Sequence, residues 1–179
     1  GEAAASSHHN RGHEVIAEIE RHFPRVWTLT QNVDDFHHQA GSKNVMEIHG
    51  NMYDLFCSKC GAELRLTRED LKGKEMPLAC YRCGFAMRPK VVLFGEFLPT
   101  DVLERLEIEM ERGFDLMFSI GTSSLFPYIA APVLAAARQG VPTIEINPDE
   151  TQVSRHVTVR LPFGAAATLD AIWKRFQQR

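Results

Sequence analysis

The four cysteines constrain the fold of this chain more than any other feature of its sequence. They form two C-x2-C pairs, Cys57 with Cys60 and Cys80 with Cys83, and 19 residues separate the pairs. A C-x2-C turn directs two sulfurs to a common centre, and a second such turn completes the tetrahedral thiolate set that Zn²⁺ prefers. Two disulfides, or one redox pair beside two inert thiols, are the alternatives. Since no cysteine is left over and no secretion signal is evident, we expect a structural zinc ion held by all four thiolates, with no open coordination position.

The size and charge of the chain exclude several classes of protein. Its 179 residues suit one domain with a small inserted module, and a hydrophobic content of 44% allows a sizeable core. A formal net charge of -3 argues against a general nucleic-acid or anionic-membrane binder. No apolar run approaches the ~18 residues of a membrane-spanning helix, and residues 1–5 do not resemble a signal peptide. We therefore expect a soluble, cytoplasmic protein without nucleic-acid or membrane partners, and we favour a monomer.

Outside the cysteine pairs, the apolar pattern alternates between the periods of helices and strands. The predicted helices are residues 12–22, 34–39, 101–112, 127–139 and 169–176, and the predicted strands are 25–30, 45–48, 115–120 and 142–146. Such alternation is typical of a parallel sheet covered on both faces. We expect an α/β fold with a Rossmann-like parallel sheet and helices on both faces, formed by residues 1–50 and 94–179, with a small inserted four-cysteine zinc-binding module at 51–93.

Polar segments follow three of the predicted strands. In parallel sheets, ligands bind at the carboxyl ends of the strands, and a glycine with nearby hydroxyl and N–H groups suits phosphate or ribose. Asn147 follows the glycine turn at about the spacing where a dinucleotide fold carries its ribose-binding acid. Because the chain has no G-x-G-x-x-G, an ordinary strand-to-helix turn remains the alternative for residues 121–123. The residues of these segments are Thr30, Gln31, Asn32, Gly121, Thr122, Ser123 and Asn147.

Six short motifs follow one another along the chain. They are T-Q-N-V-D at residues 30–34, H-G at 49–50, the paired cysteines, R-P-K-V-V-L-F-G-E at 88–96, G-T-S at 121–123 and I-N at 146–147. Together they resemble the sirtuins, a family of NAD-dependent protein-lysine deacylases, and the resemblance extends from about Asn10 to Ala171. It is closest to bacterial and archaeal members, which contain little beyond the catalytic core. The resemblance implies NAD as co-substrate and acyl-lysine proteins or peptides as partners.

The resemblance implies a role for each matching residue. His49 would be the general base, which takes a proton from a ribose hydroxyl once the acyl oxygen has attacked the anomeric carbon. Outside its motif, the same histidine would be interpreted as a core residue whose hydrogen bonds are made within the protein. Asn32 and Asp34 would complete the catalytic pocket, whereas Asp35 is interpreted as a solvated acid at a helix start. The residues implied to contact NAD are Gln31, Asn32, Val33, Asp34, Gly121, Thr122, Ser123, Asn147, Gly164 and Ala165.

The resemblance also implies two strand edges that hold an extended substrate peptide between them. Recognition through main-chain hydrogen bonds would make the sequence selectivity loose. Phe94 would form a wall of the acyl-lysine tunnel, and a plain core aromatic is the alternative. The implied substrate-binding residues are Val92, Phe94, Gly95, Glu96, Leu125 and Tyr128.

The chain departs from the family pattern at both ends. Family members begin with a strand and a Gly-Ala-Gly-x-Ser loop that cradles the pyrophosphate, and nothing similar precedes Asn10. We expect the natural protein to carry such a segment ahead of the given sequence, and a remnant without full catalysis is the alternative. Residues 161–164 replace the usual adenine loop, which affects the adenine contacts and not the class of protein.

The leading hypothesis is therefore an enzyme that deacylates protein lysines, of the deacetylase or desuccinylase type. Its products would be nicotinamide, the free lysine and O-acyl-ADP-ribose, so the acyl group would be transferred to ADP-ribose. One alternative is a protein mono-ADP-ribosyltransferase, which the same pocket could support. Another is a non-catalytic zinc module that binds NAD or ADP-ribose, against which the intact motif at residues 30–34 and His49 argue.

Overall fold

A computed structural model describes residues 8–179, and residues 1–7 of the predicted sheet domain lie outside the described residues. None of the helices in this part of the chain is long and apolar enough to cross a membrane. The helices are α1 (Arg11–His22), α2 (Phe36–Gln39), α3 (Arg68–Leu71), α4 (Thr100–Glu111), α5 (Pro127–Arg138) and α6 (Ala165–Gln177). The strands are β1 (Thr28–Thr30), β2 (Val45–Glu47), β3 (Gly50–Cys57), β4 (Glu63–Arg65), β5 (Met87–Val91), β6 (Met117–Ile120), β7 (Thr143–Ile146) and β8 (Val159–Leu161).

The start of α1 is fixed by a capping box. Asn10 Oδ1 accepts a hydrogen bond from the Gly12 N–H at 2.9 Å, and His13 Nδ1 accepts one from the Asn10 N–H at 3.2 Å. Arg11, in the first turn, donates from Nε to Asp170 of α6 at 2.8 Å. The cap fixes where α1 begins, and the ion pair holds the first turn of α1 against α6.

The parallel strands form two hydrogen-bonded sets. β1 pairs with β2, and Thr28 lies opposite Val45. β6, β7 and β8 form a second sheet in that order, in which Met117 lies opposite Thr143. The pairings within both sets are parallel, as the alternation of helices and strands predicts. Within residues 8–179, no ladder of hydrogen bonds joins the two sets into one continuous sheet.

Helices cover both faces of the β6–β7–β8 sheet. On one face lie α1 and α6, whose contacts include the fully buried Ile146 of β7. On the other face lies α5, where Val133 packs against Val153. Because neighbouring residues of a strand point to opposite faces, Phe118 contacts the first cluster and Met117 the second. The sheet is therefore layered as the α/β prediction requires.

The cysteine-bearing segment has a small antiparallel sheet and a core of its own. Its strands are ordered β4–β3–β5, and β3 alternates between buried and half-buried residues. Its buried cluster consists of Leu55, Cys57, Ala62, Cys80 and Met87. The division of the chain into residues 1–50 with 94–179 and an inserted module at 51–93 remains a prediction.

Several boundaries differ from those expected from the sequence. β1 begins at Thr28 and not at residue 25, because its pairing with β2 starts at Thr28, opposite Val45. The side chain of Arg25 lies 3.0 Å from Glu109 and over the ring of Phe114. α6 begins at Ala165, four residues before the predicted start. β8 is not among the predicted strands, because a three-residue strand is too short to show a period in the sequence.

Candidate active site

The polar segments that follow β1, β6 and β7 meet at one edge of the fold. Gln31 Nε2 donates to Thr122 Oγ1 at 3.1 Å, which joins the residues after β1 to those after β6. Asn147 Nδ2 donates to the Thr122 carbonyl at 2.9 Å, and the Gly121 N–H donates to the Ile146 carbonyl at 2.9 Å. The structure therefore brings together the three segments that the sequence singles out.

The turn after β6 leaves open space beside its backbone. Gly121 has a φ of +60°, which favours glycine, and within residues 8–179 no heavy atom lies within 4 Å of the position that a Cβ would take. The neighbouring Ser124 is 1% exposed, and its hydroxyl has no hydrogen-bond partner among the described residues. A buried hydroxyl without a partner is available to a bound polar group. Ser124 is not among the residues predicted from the sequence, where its one signal is its place directly after Gly-Thr-Ser.

Asn147 uses both ends of its side-chain amide within the protein. It is 8% exposed, its Nδ2 donates to Thr122, and its Oδ1 accepts the Asp149 N–H at 3.0 Å. The side chain thereby holds the loop after β7 against the turn after β6. Its contact with a ribose stays a prediction.

His49 lies where the residues after β1 approach the start of α5. Its Nδ1 is 3.2 Å from the Gln31 carbonyl oxygen, and its Nε2 is 2.8 Å from the Tyr128 hydroxyl. A carbonyl oxygen only accepts, so Nδ1 carries the proton in the neutral ring, and Nε2 accepts from the Tyr128 O–H. The ring of Phe126 stacks on Tyr128 and meets His49 edge-on, with centroid distances of 5.3 and 6.1 Å. His49 is thus oriented as a base whose lone pair is on Nε2.

Hydrogen bonds donated by backbone N–H groups hold the segment between β1 and α2. Asn32 is exposed, and its N–H donates to the Thr30 hydroxyl at 3.1 Å. The Val33 carbonyl accepts an N–H from β3 at 2.9 Å, and the Asp34 carboxylate accepts the first N–H of α2 at 3.1 Å. These bonds fix the backbone of the predicted nicotinamide segment next to His49.

Asp35 is not the solvated acid that the sequence analysis expects. Its side chain is only 15% exposed, and its Oδ1 lies 2.5 Å from Arg65 Nη2 and 2.8 Å from Asn51 Nδ2. Arg65 also pairs with Asp54 at 2.8 Å. Because Arg65 belongs to β4 and Asp35 precedes α2, this ion pair joins the small antiparallel sheet to the segment that bears the candidate site.

Two histidines lie close to Asp34. The ring centroids of His13 and His37 are 4.9 Å apart. Burial lowers the pKa of His13, and burial together with the neighbouring His13 lowers the pKa of His37 to about 4, against the opposing charge of Asp34. The Nδ1 of His37 is buried without a partner among the described residues. Both rings are therefore neutral near pH 7, and they form a neutral contact between α1 and α2.

The residues implied to bind the substrate peptide begin where β5 ends. The Val92 N–H donates to the His49 carbonyl at 2.9 Å, so this segment starts directly beside the candidate base. The Glu96 carboxylate pairs with Arg88 at 2.9 Å and accepts the Leu93 N–H at 3.0 Å, and these hydrogen bonds lower the pKa of Glu96. Glu96 thereby closes the turn at residues 93–96.

Apolar side chains on both implied substrate edges are exposed. Phe94 is fully exposed, next to Gly95 with its φ of +87°, and Leu125 is 68% exposed. Phe94 is therefore not the core aromatic of the alternative interpretation, and its role as a tunnel wall stays a prediction. Phe97, which belongs to none of the motifs found in the sequence, is also 97% exposed.

Gly164 and Ala165 lie at the N-terminal end of α6, which follows β8. Gly164 is the N-cap residue, and a Cβ there would meet no heavy atom of the described residues within 4 Å. Because β8 runs parallel to β7, this helix end and Asn147 both follow the carboxyl ends of their strands, at the same edge of the sheet. The first N–H groups of a helix have no partner within it and suit an anion. Their contact with adenine stays a prediction.

The four cysteines surround one centre. Their sulfur atoms all lie within 4.8 Å of one another, with 3.5 Å from Cys57 to Cys83 and 3.6 Å from Cys60 to Cys80. Tetrahedral zinc with Zn–S bonds of ~2.3 Å separates its sulfurs by about 3.8 Å, whereas a disulfide requires about 2.05 Å. The sulfur positions therefore fit a structural zinc ion, as the spacing in the sequence predicts, and do not fit disulfides.

Comparison with known proteins identifies relatives along nearly the whole chain. The family model described as "Sir2 family" matches residues 2–126. The NAD-dependent protein deacylase 2 of Pseudomonas aeruginosa is 44% identical over 163 residues, which are 90% of this chain and 63% of that protein. The NAD-dependent protein deacylase of Aquifex aeolicus is 34% identical over 175 residues, 98% of this chain and 72% of that protein. The chain thus spans less than two thirds of the Pseudomonas protein.

Solved structures share the fold. One, described as a Sir2 homolog–NAD complex, superposes with a TM-score of 0.86 at 34% identity. The match covers 98% of this chain and 67% of the chain in that structure. Another, described as Sir2 with a p53 peptide and NAD+, has a TM-score of 0.82 at 27% identity. This match covers 99% of this chain and 74% of the chain in that structure. Both descriptions name NAD as a bound molecule of the relative.

Proposed function

Because the chain belongs to the Sir2 family, we propose that its activity is the NAD-dependent deacylation of protein lysines, of the deacetylase or desuccinylase type. The products are nicotinamide, the free lysine and O-acyl-ADP-ribose. The observation that carries the proposal is the orientation of His49, with Nδ1 bonded to the Gln31 carbonyl and the lone pair on Nε2. This is the arrangement that a general base requires.

The donors at the sheet edge fit the polar groups of NAD. NAD supplies a nicotinamide that can leave and a ribose that accepts the acyl group. Three features are suited to phosphate and ribose oxygens: the open backbone at Gly121, the helix end after Gly164, and the Ser124 hydroxyl, which has no hydrogen-bond partner in the part of the chain that the structure describes. Asn32 and Asp34 offer the paired donors and acceptors that a carboxamide needs. The residues proposed to bind NAD are Gln31, Asn32, Val33, Asp34, Gly121, Thr122, Ser123, Asn147, Gly164 and Ala165.

His49 is the residue to which we assign proton transfer. In the proposed reaction its Nε2 accepts the proton of a ribose hydroxyl. The Gln31 carbonyl keeps the proton on Nδ1 and so keeps the lone pair on Nε2. Gln31 therefore contributes to catalysis through its backbone as well as its side chain.

An acyl-lysine protein or peptide is the proposed partner. The implied edges begin at Val92, next to His49, and at Leu125, a few residues before Tyr128. Exposed apolar side chains at Phe94 and Leu125 can cover the aliphatic part of an acyl-lysine. Since an extended peptide would be held through its main chain, we expect many sequences to be accepted.

We propose that the chemistry takes place in residues 1–50 and 94–179 and that the module at 51–93 is structural. The thiolates of Cys57, Cys60, Cys80 and Cys83 would hold zinc with no open position, so the ion takes no part in proton or acyl transfer. The ion pair of Arg65 with Asp35 couples the module to the site.

Mass spectrometry of acetyl-, succinyl- and long-acyl-lysine peptides, with and without NAD, tests the proposal. We expect an NAD-dependent loss of the acyl group together with O-acyl-ADP-ribose. His49→Ala should lower turnover at least ~100-fold, which is the scale of general base catalysis, and leave one zinc per chain. His156→Ala is the matched control, because His156 is exposed and lies beside Leu134 and Arg138, outside the site.

Two results would contradict the proposed function. ADP-ribose attached to protein without loss of any acyl group would identify a mono-ADP-ribosyltransferase. Tight binding of ADP-ribose without turnover of any acyl peptide would identify a non-catalytic module.

A further inference from the structure

The lone pair of the candidate base is occupied in the structure. His49 Nε2 lies 2.8 Å from the Tyr128 hydroxyl, while Nδ1 faces the Gln31 carbonyl at 3.2 Å. The carbonyl fixes the proton on Nδ1, so in the neutral ring the Tyr128 O–H is the donor and Nε2 the acceptor. A nitrogen with one lone pair cannot accept a second proton donor without giving up the first.

Tyr128 is held in place by its own neighbours. It is the second residue of α5, directly after Pro127, whose ring fixes the backbone at the helix start. Its ring stacks on Phe126 with planes 13° apart and meets His49 edge-on at 5.9 Å. Burial raises the pKa of Tyr128, so its hydroxyl remains a proton donor across the neutral range.

We propose that Tyr128 is a positioning residue that caps His49 Nε2 in the free protein and is replaced there by a ribose hydroxyl of NAD. Until the replacement, the two hydrogen bonds of His49 keep its ring plane and its tautomer fixed. The identity of the incoming hydroxyl rests on the proposed function, whereas the capping contact rests on the distances around His49 alone.

The reactivity of His49 with diethyl pyrocarbonate, measured without NAD, tests the capping contact. This reagent acylates the unprotonated nitrogen of an imidazole, and peptide mapping by mass spectrometry follows His49 separately from the other histidines. Tyr128→Phe keeps the stacked ring and removes the donor. We expect His49 to react about five-fold faster in this variant, the factor that corresponds to one neutral hydrogen bond of about 1 kcal/mol.

Tyr81→Phe is the matched control, since Tyr81 lies on the exposed zinc knuckle, and it should leave the rate for His49 unchanged. Equal rates for His49 in Tyr128→Phe and in the unaltered chain, or a slower rate in the variant, would overturn the proposal.

A second measurement needs no variant and no activity. In ¹⁵N-labelled protein, long-range ¹H–¹⁵N spectra of the neutral imidazole should show His49 protonated on Nδ1 and bare on Nε2. A neutral ring with its proton on Nε2 and none on Nδ1 would contradict the assignment of Tyr128 as the donor, even if Tyr128→Phe failed to fold.

The modification rate of His49 measured with added NAD distinguishes a failure of the capping inference from a failure of the proposed function. We expect NAD to slow the modification of His49 in the unaltered chain and in Tyr128→Phe, because a ribose hydroxyl then occupies Nε2. If NAD protects neither while the five-fold difference persists, the capping contact stands and the replacement by ribose is wrong. If NAD protects both and the variant shows no faster reaction, the capping role of Tyr128 is wrong and the proposed function stands.

Discussion

Gln31 and Thr122 are 91 positions apart in the sequence, yet the side-chain amide of Gln31 donates a 3.1 Å hydrogen bond to the Thr122 hydroxyl. The same hydroxyl accepts the N–H of Ser124 at 3.2 Å. One oxygen atom therefore connects the residues after β1 with the turn after β6, and we propose that both segments contact NAD. A substitution that removes the Thr122 hydroxyl would loosen both segments without changing the charge of the protein.

Thr122→Val preserves the shape of the side chain and removes this acceptor. The two donors together lose about 2 kcal/mol of hydrogen bonding, so we expect the KM for NAD to rise by up to about thirty-fold, with kcat within about two-fold of the unaltered chain. Steady-state kinetics with varied NAD measure the effect. Thr158→Val is the control, because Thr158 pairs with Thr143 at the start of β7 and should affect stability without affecting the KM. An unchanged KM in Thr122→Val would contradict the role of this oxygen.

Local patterns in the sequence predict much of this molecule. Asn10 indicates the start of α1 because a side-chain cap acts within one turn of the chain. The spacing of the cysteines predicts that Cys57 and Cys83 converge, since a four-thiolate site leaves few other arrangements. The carboxyl ends of parallel strands lie at one edge, which is why Gln31 and Thr122 could be expected close together.

Contacts that depend on tertiary packing could not be predicted in this way. Asp35 has the local surroundings of a solvated acid, and only the folding of β4 brings Arg65 to it. The hydrogen bond between Tyr128 and His49 spans 79 positions and depends on where α5 begins relative to β3. Neither residue pair is marked by a period or a spacing in the sequence. The sequence alone therefore does not indicate that the two residues of either pair are in contact.

Removal of zinc should unfold the small antiparallel sheet. The core of this module is small, and structural zinc in isolated finger peptides contributes ~10–16 kcal/mol of apparent binding free energy, which is also folding free energy. We expect one zinc per chain by metal analysis, and both a strong chelator and Cys80→Ser should expose residues 57–91 to limited proteolysis. Ser58→Ala, in the first knuckle, is the control and should retain the metal. Protection of this segment in metal-free protein would refute a structural role for zinc.

His37 should make part of the stability depend on pH. Burial lowers its pKa from 6.5 to about 4 in the folded chain, so between these pH values the unfolded chain binds a proton that the folded chain does not. The contribution is therefore fully present above pH 6.5 and is lost as the pH falls towards 4. We expect a loss of about 2 kcal/mol in the free energy of unfolding, allowing for the partial exposure of the ring.

Urea unfolding at pH 7 and at pH 4.5 isolates this effect. His37→Leu has no proton to bind at this position, so its stability should fall less over this interval than that of the unaltered chain. His156→Ala replaces an exposed histidine and should keep the full dependence. The assignment to His37 would be wrong if His37→Leu and the unaltered chain lost the same stability.

Ile146 should be among the most costly positions to truncate, because it lies where two helices meet the sheet. It is fully buried and packs with Val15 of α1 and with Leu169 and Trp173 of α6. Ile146→Ala leaves a cavity that these neighbours cannot fill without moving, so we expect a loss of about 3 kcal/mol in the free energy of unfolding, against about 1 kcal/mol for Ile146→Val. Ile108→Ala, on the exposed side of α4, should cost less than about 0.5 kcal/mol beyond its change in helix propensity. Urea unfolding of the three variants measures these differences, and a similar small cost at both positions would show that α1 and α6 do not depend on Ile146 for their packing.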